Sequence, residues 1–136
     1  MDEALLDTDI LSEILKQRNL LVRQKAAQYL KHHGRFALSV FTRFEIVPGY
    51  KEKNAVRQLQ RFDGFCQRSL IMPADDAVFE KAGELWVAAR RGGYAHGDAD
   101  LIIAATALES GRVLLTGNTA HFAWIPALRL DDWRQP

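Results

Sequence analysis

Residues 97–110, Gly97-Asp98-Ala99-Asp100 followed by a run ending in Glu109-Ser110, constrain the fold more than any other stretch. On a helix, Leu101, Ile103, Ala104, Ala105, Ala107 and Leu108 leave almost no polar face, so both sides must meet protein. Asp98 is placed to cap the first turn, and Asp100 lies within it, where the helix dipole favours negative charge. Gly111 is a C-terminal stop, and Val113-Leu114-Leu115-Thr116 reads as a short buried strand. An apolar helix that carries its acidic end to a strand-rich core needs a partner for that charge. A divalent cation is the natural one, because hard metals take carboxylate oxygens. Two ordinary capping aspartates are the plainer alternative.

Short apolar segments alternate with amphipathic helices along the rest of the chain. Ala4-Leu5-Leu6 runs into Asp7-Thr8-Asp9, after which Ile10, Leu11, Ile14 and Leu15 repeat at helical spacing. Asn19 ends that helix, and Leu21, Val22, Ala26, Tyr29 and Leu30 mark a second. Phe36-Ala37-Leu38-Ser39 is a second strand candidate. Thr42 and Glu45 then have capping-box spacing, and Pro48-Gly49 should bend or end the helix they open. Val56, Leu59, Phe62, Phe65 and Cys66 form the next stripe. Leu70-Ile71-Met72 is a third strand, and Val78, Phe79, Ala82, Leu85, Trp86 and Ala89 form a helix capped by Asp75 or Asp76. Leu128-Arg129-Leu130 reads as a last edge strand. The pattern specifies an α/β fold, a three-layer sandwich in which helices flank a central, mostly parallel sheet. With 136 residues the expectation is a single domain over 1–136.

The formal net charge of +1 commits the chain to neither nucleic acid nor membrane, so any RNA binding has to come from local basic patches. Cys66 is the only cysteine, which excludes an internal disulfide, and its apolar helical setting favours a core thiol. No apolar run approaches the roughly 18 residues of a membrane span. Asp2 and Glu3 stand where a signal peptide would be basic, and a cytoplasmic location is the expectation.

Asp7 resists a dull explanation, whereas Asp9, Glu45, Asp98 and Asp100 each have a possible capping role. At the end of an apolar strand, a lone buried carboxylate is costly without a charge partner or strong hydrogen bonds. Parallel strands would gather Asp7, Ser39 and Thr116 on the carboxyl rim of the sheet, with the acidic helix start nearby. Glu45 and Asp100 would repel Asp7 there unless a cation lay between them. Magnesium or manganese would answer that repulsion and would activate water for displacement at phosphorus. No Ser–His–Asp arrangement, Walker-type loop or zinc-ligand spacing competes.

With these residues in view, the chain resembles the PIN-domain ribonucleases and, within them, the VapC toxins of bacterial toxin–antitoxin pairs. The resemblance runs nearly end to end. Residues 5–12 match the opening motif, whose aspartate is Asp7; residues 39–45 match the second, whose glutamate is Glu45. Residues 97–105 match the third, whose aspartate is Asp100, and Leu114-Leu115-Thr116-Gly117-Asn118 with Phe122 matches the fourth. Asp98 is an additional carboxylate found in a subset of similar sequences. Many relatives carry aspartate where this chain has Asn118, which brings one less negative charge and weakens the case for a second metal.

The resemblance implies a PIN-like fold and an endoribonuclease in which Asp7, Glu45 and Asp100, supported by Asp98, hold Mg2+ or Mn2+. Thr8, Ser39 and Thr116 would orient carboxylates and waters, and Asn118 would orient water. Arg43, Lys51, Arg90 and Arg91 are candidate phosphate contacts, with solvated surface as the plain alternative. His121 is expected to be incidental. The arrangement around residues 118–122 and 128–133 looks most like the branch that cleaves initiator tRNA. The resemblance implies two partners: a VapB-type antitoxin whose tail blocks the acidic rim, and a second copy in a homodimer joined through the first helices and the segment near Pro48. Two rivals are a PIN-like binding module without catalysis and a haloacid dehalogenase-like phosphotransferase with Asp7 as nucleophile. Against the second, Leu11 stands where a Thr or Val is expected after Asp9-Ile10, and no clear lysine motif follows.

Overall fold

Four largely apolar triplets and one two-residue edge segment supply all the strand in the computed structural model, which describes residues 1–136. β1 (Ala4–Leu6) pairs in parallel with β4 (Val113–Leu115), and β4 with β5 (Leu130–Asp131). β2 (Ala37–Ser39) and β3 (Leu70–Met72) form a second parallel pair, and β2 lies beside β1. All the ladders are parallel, as the alternation of strand and helix requires.

Side-chain alternation divides the interior into two cores, one on each face of the strands. Leu6, Leu38 and Leu115 join Ile10, Leu11, Val22, Tyr29, Phe62 and Trp133 on one side. Leu5, Ala37 and Leu114 join Val78, Leu85, Leu101 and Ile103 on the other. α1 (Thr8–Lys16), α2 (Leu20–His33) and α4 (Val56–Gln67) cover the first core; α5 (Asp76–Gly92) and α6 (Asp98–Ser110) cover the second. α3 (Val40–Glu52) follows β2, and the one-turn α7 (Thr119–Phe122) follows β4. This is the three-layer α/β sandwich with a parallel centre expected from the pattern.

α6 is buried without interruption from Leu101 to Ala107. Each fully buried leucine or isoleucine contributes about 1.5–3 kcal/mol, and the alanines let α5 approach closely. Its polar side chains are satisfied internally: Thr106 Oγ1 donates to the Ile102 carbonyl at 2.7 Å, and Ser110 Oγ to that of Thr106 at 2.7 Å. Gly111 ends the helix at φ +65°, a backbone conformation that costs glycine little.

Three local expectations are corrected. Ser39, not Thr42, caps α3, its hydroxyl accepting from Phe41 N at 3.0 Å. Thr42 therefore lies inside the first turn, buried with its hydroxyl unpaired, and no capping box forms with Glu45. Of the two outcomes expected at Pro48, bending or ending the helix, the second is excluded, because α3 continues to Glu52. The exposed ring forfeits one backbone hydrogen bond, while Ile46, Val47 and Tyr50 hold both halves of the helix against the core. Finally, Gly97 occupies the N-cap position of α6 without a side-chain bond, so Asp98 is the first helical residue rather than its cap.

Candidate active site

The parallel strands deliver polar residues to one rim: Asp7 directly after β1, Ser39 at the end of β2 and Thr116 directly after β4. Asp7 N donates to the Leu115 carbonyl at 2.8 Å, which extends the β1–β4 ladder to the carboxylate itself. The Asp7 side chain then caps α1, accepting from Thr8 N at 2.8 Å through one oxygen. Its other oxygen accepts from Thr116 Oγ1 at 2.9 Å.

Burial nevertheless pushes the Asp7 carboxyl above its ordinary value. The bonds from Thr116 and Thr8 pull it down, and the charges of Asp9 and Asp100 push it up further. Glu45 is raised as well, first by burial and then by Asp7 and Asp100, against a long bond from Thr8 Oγ1 at 3.5 Å. The three carboxylates of the expected cluster thus press on one another across the rim. No lysine or arginine forms an ion pair with any of them.

The turn after β4 ties the rim together. Asn118 N donates to Thr116 Oγ1 at 3.1 Å, continuing the chain of bonds that ends on Asp7. Gly117 N donates to Asp9 Oδ2 at 2.8 Å, while Asp9 Oδ1 accepts from Ile10 N at 2.7 Å. His121 Nε2 lies 2.8 Å from Asp100 Oδ2. Asp9 therefore braces this turn instead of capping α1, and His121 is engaged with a site carboxylate rather than incidental. Both were underweighted in the sequence. The signals available were the second aspartate of Asp7-Thr8-Asp9 and an imidazole one helical turn beyond a strand end.

The remaining expected residues fall further out. Asp98 is exposed and is not among the charges that act on Asp7 or Glu45. The Ser39 hydroxyl is used by α3, so it holds the helix that carries Glu45 rather than a carboxylate. Asn118 contributes its backbone N–H and no side-chain cap. Arg43, Lys51, Arg90 and Arg91 are all exposed, and Arg43 acts on the Cys66 thiol, whose pKa burial raises.

The donor set has the chemistry that suits a hard cation: oxygen ligands of like charge, two of them with raised pKa values, and no lysine or arginine paired with them. The residues fit Mg2+ or Mn2+ in kind. As they stand, no three carboxylate, histidine or cysteine side chains converge on one ion, so ligation requires side-chain rotation. His121 holds Asp100 through one oxygen, which makes it the group positioned to set that rotation.

The PIN domain family matches residues 4–126, a span that includes every carboxylate of this rim. The chain belongs to the PIN domain family. This PIN domain is 28% identical over 130 residues to the tRNA(fMet)-specific endonuclease VapC of Shigella flexneri, covering 95% of this chain and 96% of that one. Its fold is similar to that of DNA-bound VapBC from Salmonella typhimurium, with a TM-score of 0.85 at 27% identity. That likeness covers 98% of this chain and 99% of the other. VapBC2 of Rickettsia felis, bound to a promoter DNA fragment, gives 0.85 at 25% identity over 96% and 98% of the two chains. The expected PIN-like α/β fold and family are both met.

Proposed function

We propose that this PIN domain is the toxin of a VapB–VapC type toxin–antitoxin pair and acts as a metal-dependent endoribonuclease. The observation that carries this reading is the mutual repulsion of Asp7, Glu45 and Asp100 at the rim, with no lysine or arginine paired to any of them. In this reading Asp7, Glu45 and Asp100 hold Mg2+ or Mn2+, and Asp98 supports them from the mouth of the site. The bound ion would supply a nucleophile from water and stabilise charge at the phosphate.

The chain's own groups do the positioning. Thr116 and Thr8 N fix the Asp7 carboxylate, Thr8 reaches Glu45, and His121 orients Asp100. Asn118 orients water at the rim. Arg43, Lys51, Arg90 and Arg91 are proposed as phosphate contacts; substrate phosphates need such cations around an acidic centre. The substrate class is tRNA, initiator tRNA in particular, in keeping with the Shigella relative, a tRNA(fMet)-specific endonuclease. The chain is read as one domain, as a homodimer and as cytoplasmic; no helix is long and apolar enough to cross a membrane.

A VapB-type antitoxin is the proposed partner, in keeping with the VapBC complexes among the structural relatives. A groove of ≈ 860 Å³ between α2 and α4 offers it Leu20, Leu30 and Phe65, with Arg23, Arg61 and Arg68 for acidic flanks. Purified protein incubated with total tRNA tests the enzymatic reading. Cleavage at discrete sites, dependent on Mg2+ or Mn2+ and lost in Asp7→Ala and Asp100→Ala, is the expected outcome. Equal cleavage by both variants would overturn the site, and cleavage in EDTA would overturn the metal.

A further inference from the structure

An aromatic and cationic cluster lies beside the acidic rim, where α5 hands the chain to α6. Tyr94 stacks on Trp124 with ring centroids 4.9 Å apart and planes 8° from parallel. Its ring crosses Gly92, where a Cβ would come within 2.3 Å of it, so a residue without a side chain is what lets the ring lie there. Trp86 meets His96 edge-on at 6.1 Å and carries the Arg90 guanidinium 5.0 Å above its ring. Tyr94 and Trp86 remain 48% and 41% exposed. Neither Arg90 nor Arg91 forms an ion pair. The chain links these groups to the rim: His96 stands two residues before Asp98, and Trp124 follows the turn of helix that seats His121 on Asp100.

We propose that the Tyr94–Trp124 stack, with Trp86, Arg90 and Arg91, is a platform on which an unpaired nucleobase of the RNA substrate stacks next to the bond to be cut. The proposal rests on the ribonuclease reading. Every base offers a π-face to an aromatic ring, and its flanking phosphate offers a charge to arginines that lack one. The carboxylates of the rim repel phosphate until a cation is bound, so base stacking and Arg90–Arg91 give RNA a hold that does not depend on the ion. A second copy of the chain fits less well. In a twofold contact the same patch meets itself, which would bring like-charged arginines together.

A short single-stranded RNA containing 2-aminopurine, titrated with the full chain in EDTA, tests the platform without cleavage. Wild type is expected to quench the base, and Tyr94→Ala and Trp86→Ala to bind about tenfold more weakly. Tyr94→Phe keeps the ring and is expected to bind as wild type, which separates lost stacking from lost fold. An unquenched base, unchanged affinity in both alanine variants, or Tyr94→Phe as weak as Tyr94→Ala would overturn the proposal. So would a loss of affinity that tracks conversion of dimer to monomer in sedimentation, which would assign the patch to a second copy. Total tRNA with Mg2+ reports on the ribonuclease reading separately: quenching of the short RNA with no cleavage of tRNA would overturn that reading and leave the stack as an RNA-binding surface only.

Discussion

Asp7 holds two positions that pull against each other, the cap of α1 and a half-buried charge among like charges. Asparagine caps as well as aspartate, so Asp7→Asn isolates the charge. The folded-state pKa values of Asp7 and Glu45 lie above their ordinary ones. The folded protein therefore binds more protons than the unfolded chain between the two values, and stability falls as pH rises through that window. Metal-free wild type is expected to lose stability as pH rises above the ordinary carboxylate range. Asp7→Asn should reduce that loss and unfold a few degrees higher at pH 7 in EDTA. The same substitution should lower metal-dependent RNA cleavage at least about a hundredfold. His121→Ala leaves Asp100 without its partner, and Mn2+ affinity should drop about 10–100-fold in calorimetry while the fold is kept.

At the scale of elements, the turn between β4 and α7 is the brace of the rim, because it bonds to Asp7 and Asp9 while α7 itself sends His121 to Asp100. Gly117 sits under the Arg134 guanidinium and against Asp9, and an added Cβ would approach them to 2.1 and 2.6 Å. Gly117→Ala pushes both side-chain ends aside and is expected to cost about 1 kcal/mol, the worth of the Gly117 N–Asp9 bond, read as a lower midpoint in urea. Pro48→Ala is expected to raise the midpoint by about 1 kcal/mol, since α3 already runs through that position with one bond missing. α6 and β4 were legible in the sequence because burial on all sides leaves an unbroken apolar run. The start of α3 was not. Ser39 and Thr42 are both good caps, and the choice depends on where β2 stops pairing, which local propensity does not encode. The roles of Asp9 and His121 were hidden because their partners are not local: the parallel pairing of β1 with β4 brings Gly117 to Asp9, and the return of the chain through β4 into α7 brings His121 back to the start of α6.

For the whole molecule, two cores on either side of short parallel strands make the rim a consequence of the fold, since three strand ends must meet there. The sheet pays for that convergence in charge repulsion, and a bound ion should return the stability. Mass action gives about 2.7 kcal/mol at an ion concentration a hundred times the Kd, so Mn2+ should raise the unfolding temperature of wild type and not of Asp7→Asn. Calorimetric titration of Mn2+ into wild type, Asp7→Asn and Asp100→Asn at pH 7 addresses the shared ion directly. Saturable binding by wild type that is lost in both variants is the expected result. No binding by wild type, or binding unchanged in either variant, would contradict a metal centre built from Asp7 and Asp100.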